Sequence, residues 1–441
     1  MNQSPMLPQG WQEKTFGDVV LPVSVNEKKL PRGDYLESGK YPVVDQGQRF
    51  IGGYSNDERR VISEDLPLLV FGDHTRAFKY LDQPFIPGAD GVKVLKPNGV
   101  NAKWLYQIAH ALDFPDKGYA RHFQHLKSAR LLVPPPDEQV SIVAELEKQF
   151  TRLEVGVAAL RRVQANLKRY RAAVLKAACE GRLVPTEAEL ARAEGRPFES
   201  GQQLLARILN RRKEVFEQRK ADGGRRRYDD PSPIEPGALP FTPEGWTQAS
   251  AESVCSSVRD GTHDTPAYVA DGVPLITSKN LLPAGLDFEN VKFVSREDHI
   301  EIGKRSGVER GDILFAMIGT IGNPVVVETD REFSIKNVGL FKANRDFILS
   351  RYLRYWFMSP PFTRWLEPKQ RGTTQKFVPL GLLRALVVAL PPLAEQTRIV
   401  AEVERRLSVV EELEAVVTTN LQRATRLRQS ILQKAFTGEL I

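Results

Sequence analysis

The stretch LLVPPPDEQVSIVAE at residues 131–145 recurs as VALPPLAEQTRIVAE at residues 388–402. The repeat continues without a gap at a constant offset of 257, so residues 134–184 align with residues 391–441, and 17 of the 51 aligned pairs are identical. A weaker repeat upstream places Pro8-Gln9-Gly10-Trp11 opposite Pro243-Glu244-Gly245-Trp246. Each half of the chain is therefore predicted to be a variable body followed by one long repeated element.

The repeated element has the pattern of a long helix. Proline is tolerated in the first helical turn, acidic residues there complement the helix dipole, and Gly181 and Gly438 can supply a left-handed stop. Apolar residues then recur with heptad spacing over four heptads, which indicates a coiled coil. The seam residues are Phe150, Leu153, Leu160, Leu167 and Val174 in the first copy, and Leu407, Val410, Val417, Leu421 and Ile431 in the second.

Arg171 and Arg428 occupy the same seam position in the two copies. One interpretation is that both arginines extend their charged ends to solvent at the edge of the coil. The other is that they form a polar layer that sets the register of the two helices.

A coiled-coil seam needs a partner, and the simplest partner of each helix is the other one, antiparallel about an approximate two-fold axis. We therefore predict an α+β chain with two α/β bodies separated by two long helices. The predicted division is 1–133, body 1; 134–184, helix 1; 185–241, a connector; 242–390, body 2; and 391–441, helix 2. A two-fold molecule suits a two-fold ligand, of which duplex DNA is the commonest.

Within this division, runs of β-forming residues and turn signals predict several strands in each body. The predicted helices lie at 101–112, 120–130 and 351–357 in the bodies, and at 186–195 and 201–220 in the connector. The net charge is +7, but +6 of it lies between Gln203 and Arg227. The run Arg225-Arg226-Arg227 fits a solvated linker as well as a basic patch, so the overall charge is weak evidence for DNA binding.

The sequence lacks the usual signatures of catalysis. It has no phosphate-binding Gly-rich motif, and Asn323-Pro324-Val325 only partly matches an amino-methyltransferase motif. Two cysteines provide no disulfide framework or metal site, and His122 and His125 stand without a cysteine or carboxylate cluster. No apolar run has the length of a membrane span, so we expect a cytoplasmic protein without bound metal.

The repeated Pro-Pro-x-x-Glu-Gln-x-x-Ile-Val-Ala-Glu helix ending in Gly-x-Leu, with the Pro-x-Gly-Trp openings, closely resembles the specificity subunit of type I restriction–modification systems. The resemblance covers essentially the whole chain. It implies two target-recognition domains that each bind one half of a bipartite double-stranded DNA site, with the helices as the spacer. The second copy has Leu393-Ala394 where the first has Pro136-Asp137.

The resemblance also implies partners. Two modification subunits carry S-adenosylmethionine and methylate adenine N6, and restriction subunits supply ATP-driven translocation and nuclease activity with magnesium. The chain itself is then a non-catalytic subunit without a cofactor of its own. The competing hypothesis is a coiled-coil scaffold whose duplicated bodies bind proteins.

Base reading requires side chains such as Arg or Lys for guanine and Asn or Gln for adenine, presented on polar loops. For any single residue, a role inside the fold is about as plausible as DNA contact. The candidates in body 1 are Gln46, Gln48, His74, Thr75, Arg76 and Lys79, with Arg121 and Lys127 as phosphate contacts. The candidates in body 2 are Thr277, Ser278, Lys279, Asn280 and the loop Arg371, Gly372, Thr373, Thr374, Gln375 and Lys376.

Overall fold

The computed structural model describes residues 8–89, 91–112, 114–115, 117–118, 120–222, 227–235 and 237–441. The chain forms two compact units. Unit 1 comprises the chain up to Val163 together with Val416–Ile441, and unit 2 comprises Gln164–Ala415. Both long helices therefore contribute residues to both units, because each helix crosses a unit boundary. Arg225 and Arg226, part of the basic run, lie outside the described residues.

The described residues of body 1 form short strands and two short α-helices. The strands are β1 (Gln12–Thr15), β2 (Val20–Val23), β3 (Tyr41–Val44), β4 (Gly53–Ser55), β5 (Leu68–Gly72), β6 (Phe78–Leu81), β7 (Ile86–Pro87), β8 (Val92–Pro97) and β9 (Arg130–Val133). The helices are α1 (Ala102–Ala109) and α2 (Phe123–Lys127). The predicted helix over 120–130 is wrong in extent, because Arg130 already pairs with Thr15 as the first residue of β9.

The first long helix and the connector follow body 1. They contain α3 (Pro136–Cys179), α4 (Glu187–Glu194) and α5 (Gly201–Ala221). Thr186 and Ser200 cap α4 and α5, each with a side-chain oxygen that accepts a backbone N–H three residues later. The three helices predicted from these stretches are confirmed.

Body 2 is longer and carries additional elements. The first are β10 (Thr247–Ser250), α6 (Ala251–Val254), β11 (Cys255–Asp260), β12 (Val273–Ile276), β13 (Leu281–Leu282), β14 (Gly285–Leu286), β15 (Lys292–Val294) and α7 (Arg296–Ser306). The remainder are β16 (Ile313–Ala316), β17 (Gly322–Val326), β18 (Ser334–Ile335), β19 (Val338–Ala343), α8 (Ser350–Met358), α9 (Pro360–Leu366), α10 (Leu380–Arg384) and β20 (Val387–Leu390). The second long helix, α11 (Leu393–Thr437), completes the chain.

The two bodies have the same strand topology although their sequences share little. Body 1 contains a four-stranded sheet in the order β2-β8-β5-β6, and body 2 contains its counterpart in the order β11-β19-β16-β17. Three-stranded sheets β4-β3-β7 and β15-β12-β18 also correspond, and each includes one parallel pair. Finally, the entry strand pairs antiparallel with the exit strand, as β1 with β9 and as β10 with β20. The duplication thus includes the bodies as well as the helices.

Each unit has a core that includes both long helices. In unit 1, aromatic residues of body 1 such as Trp104 and Phe71 cluster with Leu146 of α3 and with Ile431 of α11. In unit 2, Trp356 and its neighbours cluster with Val174, Leu175 and Ala178 of α3 and with Ile399, Val403 and Leu407 of α11. Residues late in one helix pack beside residues early in the other, so the helices run antiparallel within each unit. The predicted mixed α/β fold with two paired long helices is confirmed.

Candidate nucleic-acid interface

The start of each long helix is fastened to its body by a tryptophan–glutamate hydrogen bond. Trp11 donates its indole N–H to Glu138 in unit 1, and Trp246 donates to Glu395 in unit 2, both at 2.8 Å. The antiparallel pairing of the entry and exit strands brings each tryptophan to the Pro-Pro turn. The Gly-Trp opening and the Glu-Gln motif, more than 120 residues apart, are therefore two parts of one repeated contact.

The glutamine of the Glu-Gln motif makes the second half of this fastening, which we call the clamp (Trp11, Glu138 and Gln139; Trp246, Glu395 and Gln396). Gln139 accepts the backbone N–H of Asn101 at 2.7 Å and donates to the carbonyl of Pro134 at 2.8 Å. Gln396 accepts the N–H of Leu349 at 3.0 Å and donates to the carbonyl of Pro391 at 3.1 Å. Both glutamines are buried, and each satisfies backbone groups next to a helix of its own body.

In unit 2 the clamp has an additional contact that comes from the connector. The second carboxylate oxygen of Glu395 accepts the backbone N–H of Glu187 at 2.8 Å. Burial raises the pKa of the Glu395 carboxyl, although these two hydrogen bonds act in the opposite direction. Burial also opposes ionisation of Glu187, but its hydrogen bonds and charge pairs with Arg398 and Arg196 prevail and lower its pKa.

The glycines that end the long helices have left-handed backbones, as predicted, with φ of +64° at Gly181 and +79° at Gly438. A Cβ atom at Gly181 would lie 2.8 Å from Pro243, and one at Gly438 would lie 3.0 Å from Pro8. The end of α3 thus meets the opening motif of body 2 within unit 2, and the end of α11 meets that of body 1 within unit 1. Glycine avoids left-handed strain at both positions, and at Gly181 it also avoids a clash with Pro243.

The seam residues predicted from the heptads are not equally buried. Seven of them are buried, namely Phe150, Leu167, Val174, Leu407, Val410, Val417 and Ile431. The other three are half-buried, namely Leu153, Leu160 and Leu421. The two seam arginines make equivalent ion pairs, because Arg428 approaches Glu154 at 3.3 Å and Arg171 approaches Glu411 at 3.5 Å. Arg171 also pairs with Glu414 at 3.0 Å, a residue whose counterpart in the first copy is Val157.

In body 1 five of the eight candidate DNA-contacting residues come from two loops that touch. The loop after β3 carries Gln46 and Gln48, and the turn between β5 and β6 carries His74, Thr75 and Arg76. Gln48 donates to the carbonyl of Thr75 at 3.3 Å, and the Thr75 hydroxyl donates to the carbonyl of Gln46. These two loops therefore form one edge of the body, which we call the loop edge (residues 45–52 and 72–77).

Of the other three candidates, one lies beside this loop edge, one lies on α2 and one lies beneath the edge. His74 contacts the carbonyl of Ala120 at 3.1 Å, which places the exposed Arg121 beside the edge. Lys127 is half-buried in α2 with its ammonium 5.9 Å from the Phe123 ring. Lys79 is only 3% exposed and donates to the carbonyl of Asp45 at 2.7 Å, and burial lowers its pKa.

In body 2 the candidates occupy corresponding and additional loops. Thr277, Ser278, Lys279 and Asn280 follow β12, as the loop of Gln46 and Gln48 follows β3. Lys279 is exposed, whereas Asn280 is 4% exposed and donates to the carbonyl of Asn290 at 3.2 Å. The loop Arg371–Lys376 is exposed throughout and reaches the turn between β16 and β17, since Gly319 donates to the carbonyl of Lys376 at 3.2 Å.

Two residues on the loop edge of body 1 were not among the sequence candidates. Arg49 and Phe50 form the exposed tip of the loop after β3. Phe50 is 53% exposed, although a phenylalanine in a run of β-forming residues normally suggests a core position. The run Gln46-Gly47-Gln48 before it and the pair Gly52-Gly53 after it are the sequence signals that mark this segment as a loop.

Within the part of the chain that the structure describes, no group of three or more His, Cys, Asp or Glu side chains is arranged to hold a metal ion. His122, one of the two histidines noted in the sequence, is buried and contacts the carbonyl of Asp73 at 3.0 Å. Among the described helices, none combines the length and the apolar character that crossing a membrane requires.

Comparison with known proteins agrees with this architecture. No family model matches the chain. The EcoBI type I restriction enzyme specificity subunit of Escherichia coli is 27% identical over 319 residues, which are 71% of this chain and 59% of that relative. The EcoDI specificity subunit of the same species is 25% identical over 462 residues, which cover 98% of this chain and 89% of that relative. The chain is thus similar in sequence to type I restriction enzyme specificity subunits over most of its length.

This relationship confirms the resemblance inferred from the repeated Pro-Pro…Glu-Gln helix. The chain spans about three-fifths of the EcoBI subunit's length and nearly all of the EcoDI subunit's. A solved chain from a study of complex assembly and conformational transition of the type I R-M system is 18% identical. It covers 99% of this chain and 100% of its own length with a TM-score of 0.62. At this identity the structural likeness concerns the fold alone.

Proposed function

We propose that this protein is the non-catalytic DNA-recognition subunit of a type I restriction–modification complex, in which each body binds one half of a bipartite site. One observation carries the proposal. The chain builds the same clamp and the same strand order twice, while the loops at the corresponding sheet ends differ in sequence and length. A protein that recognises two different half-sites needs both bodies to be attached to the helices in the same way and their loops to differ.

The chemistry that acts on DNA belongs, in this proposal, to partner subunits. Two modification subunits use S-adenosylmethionine to methylate adenine N6, and restriction subunits use ATP and magnesium for translocation and cleavage. The present chain contributes base and phosphate contacts from the loop edge of body 1 and from the loops of body 2. In this proposal the two long helices act as the spacer that sets the gap between half-sites.

An apolar stripe on α11 supports docking of a modification subunit. Val409, Leu413 and Val416 are 52%, 44% and 50% exposed, follow one another at spacings of four and three residues, and lie outside the seam. Such a stripe on one helix fits a further helix packed alongside it. Replacing Leu413 and Val416 by serine should prevent co-purification with the modification subunit. The matched change of Val140 to serine, at 58% exposure near the start of α3, should not.

The direct test of DNA recognition is the methylation pattern. The chain is co-expressed with the adenine methyltransferase subunit of its own system in a host that lacks adenine methylation, and the methylated sites of the genome are sequenced. We expect one bipartite sequence that appears only when both subunits are present. Exchanging body 2 for that of a relative should alter one half-site alone. Methylation that does not depend on this chain would contradict the proposal and would favour a protein-binding scaffold.

The helices as a spacer are tested by their length. A four-residue insertion after Arg162 in α3 and after Thr419 in α11 lengthens each helix by about 6 Å. At about 3.4 Å per base pair, the preferred gap should increase by about two base pairs. The insertion in one helix alone serves as the control, because it disrupts the register of the seam. An unchanged gap in the doubly extended protein refutes the spacer function.

A further inference from the structure

We infer that Phe50 is a specificity residue of body 1 that packs against the 5-methyl group of a thymine in the major groove. The inference rests on the proposed DNA-recognition function and adds a residue and a chemical group to it. Four observations support it: the rigidity of the loop, its charge, the exposure of the ring and the position of the loop among the candidate residues.

The loop that carries Phe50 is held at both ends. Gly47 donates its backbone N–H to the Asp45 carboxylate at 2.8 Å, and Gly52 donates to the carbonyl of Val43 at 2.9 Å. The buried ammonium of Lys79 donates to the carbonyl of Asp45 at 2.7 Å from beneath. A Cβ atom at Gly52 would lie 2.5 Å from the Asp45 carboxylate, so the chain closes tightly there. A rigid loop presents its tip at little entropic cost on binding.

The arrangement of charged side chains on the loop edge favours the binding of a polyanion such as DNA. Arg49 and Arg121 are exposed. By contrast, the carboxylates of Asp45 and Asp73, which lie on the same edge, are directed inward. Asp45 accepts the N–H of Gly47 and lies 3.6 Å from the Lys79 ammonium, and Asp73 is 4% exposed and accepts the N–H of Phe123 at 2.7 Å. The cations thus face outward and these acids inward, as phosphate binding requires.

Phe50 is the apolar exception on this polar edge. Its side chain is 53% exposed, and among the described aromatic pairs of body 1 it takes part in none, whereas the rings of Phe71 and Phe78 pack with their centroids 4.9 Å apart. The thymine 5-methyl is the apolar group that the major groove presents, and aromatic side chains are suited to it. A neighbouring polar residue, Gln48, and the cation of Arg49 supply the polar contacts that accompany such reading.

The experiment compares thymine with uracil, which lacks only the methyl group. Duplexes carrying the site found by methylation sequencing are made with one thymine at a time replaced by uracil, and their affinities for the assembled methyltransferase complex are measured. With the unaltered protein, uracil at one position of one half-site should weaken binding by about fourfold, the factor for one methyl-sized group left in water. With Phe50→Ala, thymine and uracil at that position should bind equally.

Two variants serve as controls. Phe50→Leu retains an apolar side chain and should keep part of the preference for thymine. Phe241→Ala removes a phenylalanine of similar exposure, 60%, from the connector and should leave the preference intact. Because Phe50 is exposed, we expect its replacement to leave the melting temperature unchanged.

Each remaining outcome has a distinct meaning. Equal preference for thymine in Phe50→Ala and in the unaltered complex overturns the inference. A uniform loss of affinity for all duplexes also overturns it, since it indicates a wedge between base pairs or a non-specific contact. An unaltered complex that binds no particular sequence refutes the proposed function itself.

Discussion

The substitution of glutamine for the clamp glutamate should have unequal effects in the two units. Glu395 accepts two N–H donors, one on each oxygen, from Trp246 and from the backbone of Glu187. A glutamine has one carbonyl oxygen, so its amide group must face one of these donors. Glu138 accepts only the Trp11 indole among the described hydrogen bonds, and a glutamine can satisfy that donor by rotation.

The magnitude follows from burial. Glu395 is fully buried, so a donor left without an acceptor there costs about 1–3 kcal/mol. Glu138 is half-buried and retains its bond, so we expect the free energy of unfolding to change by less than about 1 kcal/mol there. Glu412→Gln on the exposed face of α11 is the matched control and should have no effect.

Amide hydrogen exchange followed by mass spectrometry measures each unit separately, because peptides report the local free energy of opening. Glu395→Gln should accelerate exchange around the start of α11 and the start of α4 by about 5-fold to 150-fold, at tenfold per 1.4 kcal/mol. Glu138→Gln should accelerate exchange around the start of α3 by less than about fivefold. Equal costs at the two sites, or no cost at Glu395, would refute the reasoning.

Three further predictions concern stability. Gly181→Ala should destabilise the protein more than Gly195→Ala in denaturant titrations. Both glycines have a φ of +64°, which costs about 1–2 kcal/mol for alanine, but only Gly181 has an atom within 4 Å of the new Cβ. Replacing Arg171 and Arg428 together by leucine should change the unfolding midpoint little, because partly exposed ion pairs contribute about 0–1 kcal/mol. If the double variant instead no longer forms a monomeric coil with a single register, the interpretation of the two arginines as a register-setting polar layer is favoured. Finally, the raised pKa of Glu395 means that the native state binds the proton more tightly than the unfolded chain. The contribution of Glu395 to stability is therefore fully present below the ordinary pKa of 4.5 and is lost as pH rises through the raised pKa. A stability of unit 2 that does not change with pH in this range would contradict the prediction.

The long helices were predictable because their signals are local. Heptad spacing, the proline pair at the start and the glycine at the end each act within a few residues, and the structure confirms two helices of 44 and 45 residues. The exception within local structure is α2, which was predicted too long. The helix covers only Phe123–Lys127, and Arg130, the last residue of the predicted helix, begins a strand whose partner lies near the start of the chain.

Most of the candidate DNA-contacting residues were predictable as loop residues, but their individual roles were not. Gln46 and Gln48 do meet the turn of His74 and Thr75, although nothing in the sequence joins these segments. Lys79 and Asn280 are buried with partners inside the fold, and Phe50 is exposed. Residue type alone suggests exposure for the lysine and the asparagine and burial for the phenylalanine. The structure shows the opposite, because burial depends on how the strands of a body pack and not only on the residue type. DNA contact by the sequence candidates stays a prediction.

The sequence by itself determined that the chain is duplicated, where its long helices begin and end, and which of their faces are apolar. Only the tertiary structure decided what the repeated motifs bind. The glutamate of the Glu-Gln pair accepts a hydrogen bond from a tryptophan 127 or 149 residues away. The glycine that follows α11 lies against the opening motif of body 1, at the other end of the chain. It also decided that two bodies with little common sequence share one strand order. Helix periodicity is set by neighbours in the chain, whereas these contacts are set by neighbours in space, which sequence spacing does not encode.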